Sequence, residues 1–311
     1  MKILITCPPM LRVLEQFRPL IKKHGAQFTA PDVVQTLTVP ELLELVPEHD
    51  GWIIGDDPAT REVFERAKAG KLKAAVKWGI GVDNVDLKAC EDLSIPVTNT
   101  PNMFGAEVAD LALGYIIALA RRTFEIDRGV RAGLWPKPQG ISLAGKTVAI
   151  LGFGDIGRHL VKRALAVGMK VVVYDPFVDA ANVLDDVVVA TWPQKLGDAD
   201  FVVVTCALTP SSEHMINSQT FAAMKPGVRI VNVSRGGIIV ESALIEALHN
   251  GQVYSAALDV FEQEPLPISS SLLAYPKCVL GSHNASNTSE AVVRTSQIAI
   301  EKLFKLIEEV S

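Results

Sequence analysis

Residues 147 to 157 read Thr-Val-Ala-Ile-Leu-Gly-Phe-Gly-Asp-Ile-Gly, and few folds accept such a stretch. The apolar run Thr147 to Leu151 reads as a buried parallel strand, and Gly152, Gly154 and Gly157 follow at the spacing of a dinucleotide-binding turn. In such a turn the first glycine permits the sharp exit from the strand and the second leaves bare backbone for a pyrophosphate. The third lets the next helix pack close to the sheet. The phosphates would sit at the amino terminus of that helix, where unpaired N–H groups and the macrodipole favour negative charge.

The surrounding residues strengthen this reading. Arg158 to Val167 continues as a helical pattern, Gly168 ends it, and Lys170 to Asp175 supplies a second strand with an acid at its carboxyl end. Asp175 can accept hydrogen bonds from an adenosine ribose and would repel a 2′-phosphate. Pro176 and Phe177 offer no arginine for such a phosphate, so NAD is expected rather than NADP.

With 311 residues the chain exceeds the usual growth of one core, and two domains are expected. A net charge of −5 with no basic run argues against nucleic acid or an acidic membrane surface as partner, leaving a small soluble ligand. Cys7, Cys90, Cys206 and Cys278 are scattered, so neither a metal site nor a disulfide framework is expected. The amino terminus is interrupted by Pro8 too soon for a signal segment, and the apolar stretch Leu111 to Ala120 is too short to span a bilayer. The expectation is a cytoplasmic protein.

Along the chain, strands near 2–6, 27–29, 51–54, 72–76 and 96–100 alternate with helical patterns over 11–23, 39–46 and 60–69. This alternation implies a parallel, doubly wound α/β sheet. Gly79 and Gly81 follow one of these strands, and their backbone N–H groups could bind a substrate carboxylate or simply form a turn. A helix over 105–122 is apolar almost all round, which predicts burial between domains or at a subunit contact; the second option, with the habit of the family it resembles below, suggests a homodimer.

After Asp175, strands are expected over 200–205, 229–234, 254–258 and 278–280, with helices over 218–224 and 241–249. Ligands of open α/β sheets bind outside the carboxyl ends of the strands. Those ends carry Cys206, Ser234 with Arg235, Asp259 and His283. A guanidinium at Arg235 could grip a carboxylate and polarise an adjacent carbonyl, or could be a surface arginine paired with a helix-start acid such as Glu241. A histidine beside a carboxylate such as Glu264 suits proton donation to a carbonyl near neutral pH. The other five histidines, at 24, 49, 159, 214 and 249, lie in helices or ordinary loops.

Over nearly its full length the chain resembles the D-isomer-specific 2-hydroxyacid dehydrogenase family. The matching segments are 79–86, 100–110, 152–157, 224–227, 232–237, 257–265 and 281–283. The resemblance implies two doubly wound parallel-sheet domains: a flavodoxin-like substrate domain from residues 1–100 and 285–311, and an inserted Rossmann NAD domain over 101–284. It implies that Arg235 orients the substrate carboxylate and that His283, assisted by Glu264, exchanges the proton of the C2 oxygen. Asp259 would contact the nicotinamide end, and Asp155, Ile156 and Asp175 would hold pyrophosphate and ribose. Cys206, Ala207, Leu208, Val233, Ser234 and Ser286 would line the cofactor. Lys77, Trp78, Gly79 and Asn102 would meet the substrate.

Within the family the chain looks most like phosphoglycerate dehydrogenase, with departures. Phosphoglycerate enzymes usually place arginine in the loop after the third strand, where this chain has Gly-Asp-Asp-Pro at 55–58. That loop would repel a phosphate, and Lys77 is left as a partial substitute. Cys206 stands where many members have histidine, and an end at Ser311 predicts no regulatory domain. The expected activity is NAD-dependent hydride transfer to or from C2 of a short D-2-hydroxy or 2-keto acid, with 3-phosphoglycerate among the candidates. Alternatives are glyoxylate or hydroxypyruvate reduction, an NAD(H)-sensing binding protein on the same scaffold, and formate oxidation, disfavoured by Glu264.

Overall fold

Strands buried on both faces need continuous apolar runs, and the runs in this chain become twelve strands among the described residues, 1–178 and 183–310 of a computed structural model. The chain divides into two compact units, residues 1–103 with 287–311 and residues 104–286.

The first unit holds β1 (Lys2–Ile5), β2 (Gln27–Thr29), β3 (Gly51–Ile54), β4 (Ala74–Lys77) and β5 (Val97–Asn99), all parallel, in the order β2-β1-β3-β4-β5. This is the flavodoxin-like order. Its helices are α1 (Pro8–Leu11), α2 (Arg18–Lys23), α3 (Val39–Leu45), α4 (Arg61–Lys68) and α5 (Leu87–Asp92). The single helix expected over 11–23 is instead two short helices joined by a 3-10 turn, Leu14–Phe17. Pro19 explains the break, because its ring cannot follow a preceding helical turn and suits only a helix start. A C-terminal helix, Ser289–Glu309, returns to this unit and buries Leu303, Phe304 and Ile307. Gly51 makes room for it, since a Cβ there would lie 2.9 Å from Ile307 Cδ1.

The second unit holds β6 (Thr147–Leu151), β7 (Lys170–Tyr174), β8 (Val187–Val189), β9 (Phe201–Val204), β10 (Val228–Asn232), β11 (Val253–Leu258) and β12 (Val279–Leu280). All seven are parallel, in the order β12-β11-β10-β9-β6-β7-β8. The order reverses between β6 and β9, which is the dinucleotide-binding topology with its switch point at β6. The helices are α6 (Gly105–Arg121), α7 (Thr123–Arg131), α8 (Asp155–Ala166), α9 (Ser218–Ala223) and α10 (Glu241–His249).

Within the second unit the 105–122 helix is buried on one side. Val108, Ala109, Ala112, Tyr115, Ile116 and Leu119 are buried, whereas Asp110, Gly114, Ile117 and Arg121 form an exposed stripe. Arg122 ends α6 in the left-handed conformation and α7, absent from the sequence reading, starts at once. No helix of the described residues is long and apolar enough to cross a membrane.

Replacing Leu303, fully buried in the C-terminal helix, with alanine is expected to cost about 2–5 kcal/mol in urea unfolding. Glu301→Ala on the exposed face should stay within about 0.5 kcal/mol. Equal effects would show that the helix is not packed as described.

Candidate active site

Five neighbouring strands of the second sheet, β6, β9, β10, β11 and β12, end in a row at one edge. At roughly 4.8 Å per strand the row spans about 19 Å. The exits carry, in that order, the glycine turn, residues 205–208, residues 233–235, residues 259–264 and residues 281–286.

At the exit of β6 each glycine has a different neighbour. Gly152 has φ +99, and a Cβ there would lie 2.7 Å from the Cys206 backbone. A Cβ at Gly157 would lie 2.1 Å from the Gly152 carbonyl oxygen. At Gly154 it would meet nothing within 4 Å, so the middle of the turn is open. The turn is braced by the Thr205 hydroxyl, which donates to the carbonyls of Leu151 (2.9 Å) and Gly152 (3.0 Å). Asp175 holds its far side, accepting the Phe153 N–H at 2.7 Å and the Phe177 N–H at 2.8 Å.

Helix α8 starts at Asp155, three residues earlier than the sequence pattern suggested. The N–H groups of its first turn have no partner within the helix and sit beside the open position of Gly154. Open backbone and unpaired N–H groups together fit a pyrophosphate. The Asp155 carboxylate is turned toward Gly105 at the start of α6, with Oδ2 buried and without a hydrogen-bond partner. Asp155 therefore offers a phosphate its backbone rather than its side chain.

The next two exits are tied together. Ser234 donates its hydroxyl to the Cys206 carbonyl and its N–H to Asn232 Oδ1 at 3.1 Å. Asn232 in turn donates from Nδ2 to the Arg235 carbonyl at 2.9 Å, shaping the segment 233–235. The Glu241 N–H is accepted by Glu262 at 3.0 Å, while Arg235 Nη1 donates to the Ser234 carbonyl at 3.0 Å. Burial pushes the Cys206 thiol up to about 11, so it stays protonated at neutral pH. A protonated thiol is not a nucleophile.

The outer exits hold the histidine. Asp259, 1% exposed, accepts the Ala285 N–H at 2.8 Å, and its carbonyl accepts the His283 N–H at 2.7 Å. These bonds hold His283 in the left-handed region, φ +54, which a non-glycine residue rarely adopts. Glu264 accepts the Phe261 N–H on Oε1 at 3.0 Å, and its Oε2 lies 2.7 Å from His283 Nδ1. A carboxylate accepts, so Nδ1 donates, and Nε2 is the nitrogen that can exchange a proton. Tyr115 of α6 reaches the same cluster, donating to Asp259 Oδ1 at 3.5 Å, and its hydroxyl is pushed well above the usual phenol range by burial and by Asp259. Sequence reasoning missed Tyr115, as well as Thr205 and Asn232. Ser286 is half-buried just beyond Ala285.

In the first unit, Lys77 is almost completely buried, donating to Asp56 at 3.0 Å and to the Trp78 carbonyl at 3.0 Å. The Trp78 indole donates to Ser296 at 3.0 Å. The Gly79 N–H donates to Thr100 Oγ1 at 2.8 Å, so it is not the carboxylate donor that the glycine pattern suggested. Asn102 is exposed at φ +59. Among the described residues no group of three His, Cys, Asp or Glu side chains is placed to hold a metal.

The family model described as "D-isomer specific 2-hydroxyacid dehydrogenase, NAD binding domain" matches residues 113–285, more than half of the chain. The chain belongs to this family. Among 2-hydroxyacid dehydrogenase relatives it is similar to the hydroxypyruvate reductase of Thermotoga maritima, 39% identical over 291 residues, covering 92% of each chain. It is also similar to D-3-phosphoglycerate dehydrogenase 2 of Arabidopsis thaliana, 38% identical over 270 residues, covering 85% of this chain and 43% of that protein. The chain thus spans less than half the length of the plant relative. The apo structure of D-lactate dehydrogenase from Escherichia coli is 28% identical with a TM-score of 0.86, covering 100% of this chain and 98% of that one.

The two glycines of the turn should respond oppositely to substitution. Gly157→Ala is expected to lower stability by about 1–3 kcal/mol in thermal melts. Gly154→Ala should stay within about 1 kcal/mol yet lose most of the melting-temperature rise that NAD gives the parent protein. A Gly154→Ala protein stabilised by NAD as fully as the parent would contradict the open-turn assignment.

Proposed function

We propose that this protein is an NAD-dependent D-2-hydroxyacid dehydrogenase that interconverts a short 2-keto acid and the corresponding 2-hydroxy acid. The observation that carries this reading is the 2.7 Å His283–Glu264 pair on the same sheet edge as the glycine turn, with Arg235 two strands away.

NAD, held at the glycine turn, supplies the hydride chemistry at C2. The residues of the chain bind, orient and move the proton. Arg235 presents a permanently charged fork to the substrate carboxylate. His283 gives a proton from Nε2 to the C2 oxygen in reduction and takes it back in oxidation, while Glu264 stabilises the imidazolium. Asp259 fixes the loop that carries His283 and faces the nicotinamide end. Cys206, Ala207, Leu208, Val233, Ser234 and Ser286 line the cofactor, and Asp175 accepts from the ribose. Lys77, Trp78, Gly79 and Asn102 complete the substrate contacts, Gly79 through its shape rather than its N–H. The Asp175 carboxylate, followed by Pro176 and Phe177 rather than by an arginine, favours NAD over NADP.

We also assign the protein to the cytoplasm as a homodimer. Four unpaired cysteines support a reducing compartment. Ile117, Phe124, Val130, Leu134 and Trp135 are exposed within one short segment, which supports pairing through that face; light scattering at twice the chain mass is the expected result.

A panel of 2-keto acids followed by NADH absorbance, with NADPH alongside, should show turnover with NADH preferred. His283→Asn is expected to lower kcat by about 10²–10⁴ with NADH binding kept. Arg235→Gln should lower kcat/KM by about 10–100-fold, mostly through KM. No turnover of any acid, or full activity in either variant, would overturn the assignment.

A further inference from the structure

The segment that carries Glu264 leaves β11 without a sheet partner, and glutamate side chains hold it. Among the described residues, 260–264 makes no backbone–backbone hydrogen bond, and three side-chain bonds secure it. Two belong to Glu264: Oε1 accepts the Phe261 N–H within the segment, and Oε2 meets His283 Nδ1. The third belongs to Glu262, whose Oε1 accepts the Glu241 N–H at 3.0 Å. Glu241 is the first residue of α10, and the residue before it, Val240, has no side chain able to cap the helix. Glu262 supplies that cap from outside the helix, where a carboxylate also meets the positive end of the helix dipole. Two neighbours fix where it grips. A Cβ at Gly236 would lie 1.9 Å from the Phe261 carbonyl carbon, so the 261–262 peptide is pressed against the backbone next to Arg235. His214 Nε2 lies 3.7 Å from the same Glu262 oxygen and attracts it when the ring is protonated, while the His214 N–H donates to the Gly237 carbonyl at 2.9 Å.

We propose that Glu262 is a positioning residue for the Glu264–His283 pair: by anchoring the segment to the start of α10 it keeps the Glu264 carboxylate on the imidazole. Its effect on rate rests on the dehydrogenase reading given above, whereas its effect on the pair does not. Without the anchor, the bonds left to the segment are those of Glu264 itself. The carboxylate then spends less time against Nδ1, the imidazolium loses part of its stabilisation, and the ring gives up its proton at a lower pH. Reduction needs the protonated ring, so the high-pH limb of its rate profile moves down with it.

The test compares Glu262→Ala and Glu262→Gln in the full chain. In Glu262→Ala the titration midpoint of His283, followed by NMR, should fall by about half a pH unit or more. With a 2-keto acid and NADH, kcat should drop about three- to tenfold, the high-pH limb should shift in step, and the KM for NADH should stay within about twofold. Glu262→Gln keeps an acceptor for the Glu241 N–H and should restore most of both the midpoint and the rate. A folded Glu262→Ala protein in which His283 titrates as in the parent overturns the proposal, even if its melting temperature is lower, because Glu262 would then be a helix cap and nothing more. A Glu262→Gln protein as impaired as Glu262→Ala overturns it as well. Absence of turnover by the parent protein with every keto acid would remove the dehydrogenase reading, while the NMR comparison would still decide whether Glu262 holds the pair.

Discussion

The hydrogen bond from His283 Nδ1 to Glu264 Oε2, 2.7 Å long, is the contact on which the proposed chemistry of this protein depends. It joins the exits of β11 and β12, and it exists because backbone holds both partners in place. The Phe261 N–H fixes the glutamate, and the Asp259 carbonyl fixes the histidine. A left-handed backbone at a bulky residue costs on the order of 1–2 kcal/mol, and the Asp259 carboxylate offsets that by holding Ala285 two residues on. The result is an imidazole with Nδ1 committed to the carboxylate, which leaves Nε2 as the nitrogen able to exchange a proton.

The rest of the second unit serves the same edge. Thr205, Ser234 and Asn232 do not carry chemistry, yet they stitch the exits of β6, β9 and β10 into one surface. Binding a dinucleotide there requires backbone rather than side chains, which is why the middle glycine has open space while its two neighbours are crowded. In the first unit the corresponding edge carries charge instead, with Lys77 buried and paired to the half-exposed Asp56.

Much of this was legible in the sequence because parallel strands covered on both faces are written as uninterrupted apolar runs, and because the glycine turn has a fixed spacing. That His283, Glu264 and Arg235 lie at strand exits was legible because each follows an apolar run. What was hidden depended on contacts between distant residues. Thr100 takes the Gly79 N–H from 21 positions away, and Tyr115 sits among apolar neighbours on a helix, where nothing local distinguishes it from core. Helix α7 escaped notice because its apolar side chains are exposed rather than aligned on a buried face, and because Arg122 interrupts the pattern before it. The continuous helix expected over 11–23 failed at Pro19, a breaker visible in the sequence but outweighed by periodicity.

The most direct measurement of the central claim is ¹⁵N NMR of the histidine side chains, with His283 identified by its loss in His283→Asn. The account predicts that Nδ1 of His283 keeps its proton, bonded to Glu264, as the ring becomes neutral, and that Nε2 is the nitrogen that titrates. A neutral ring protonated on Nε2 with Nδ1 bare would contradict it.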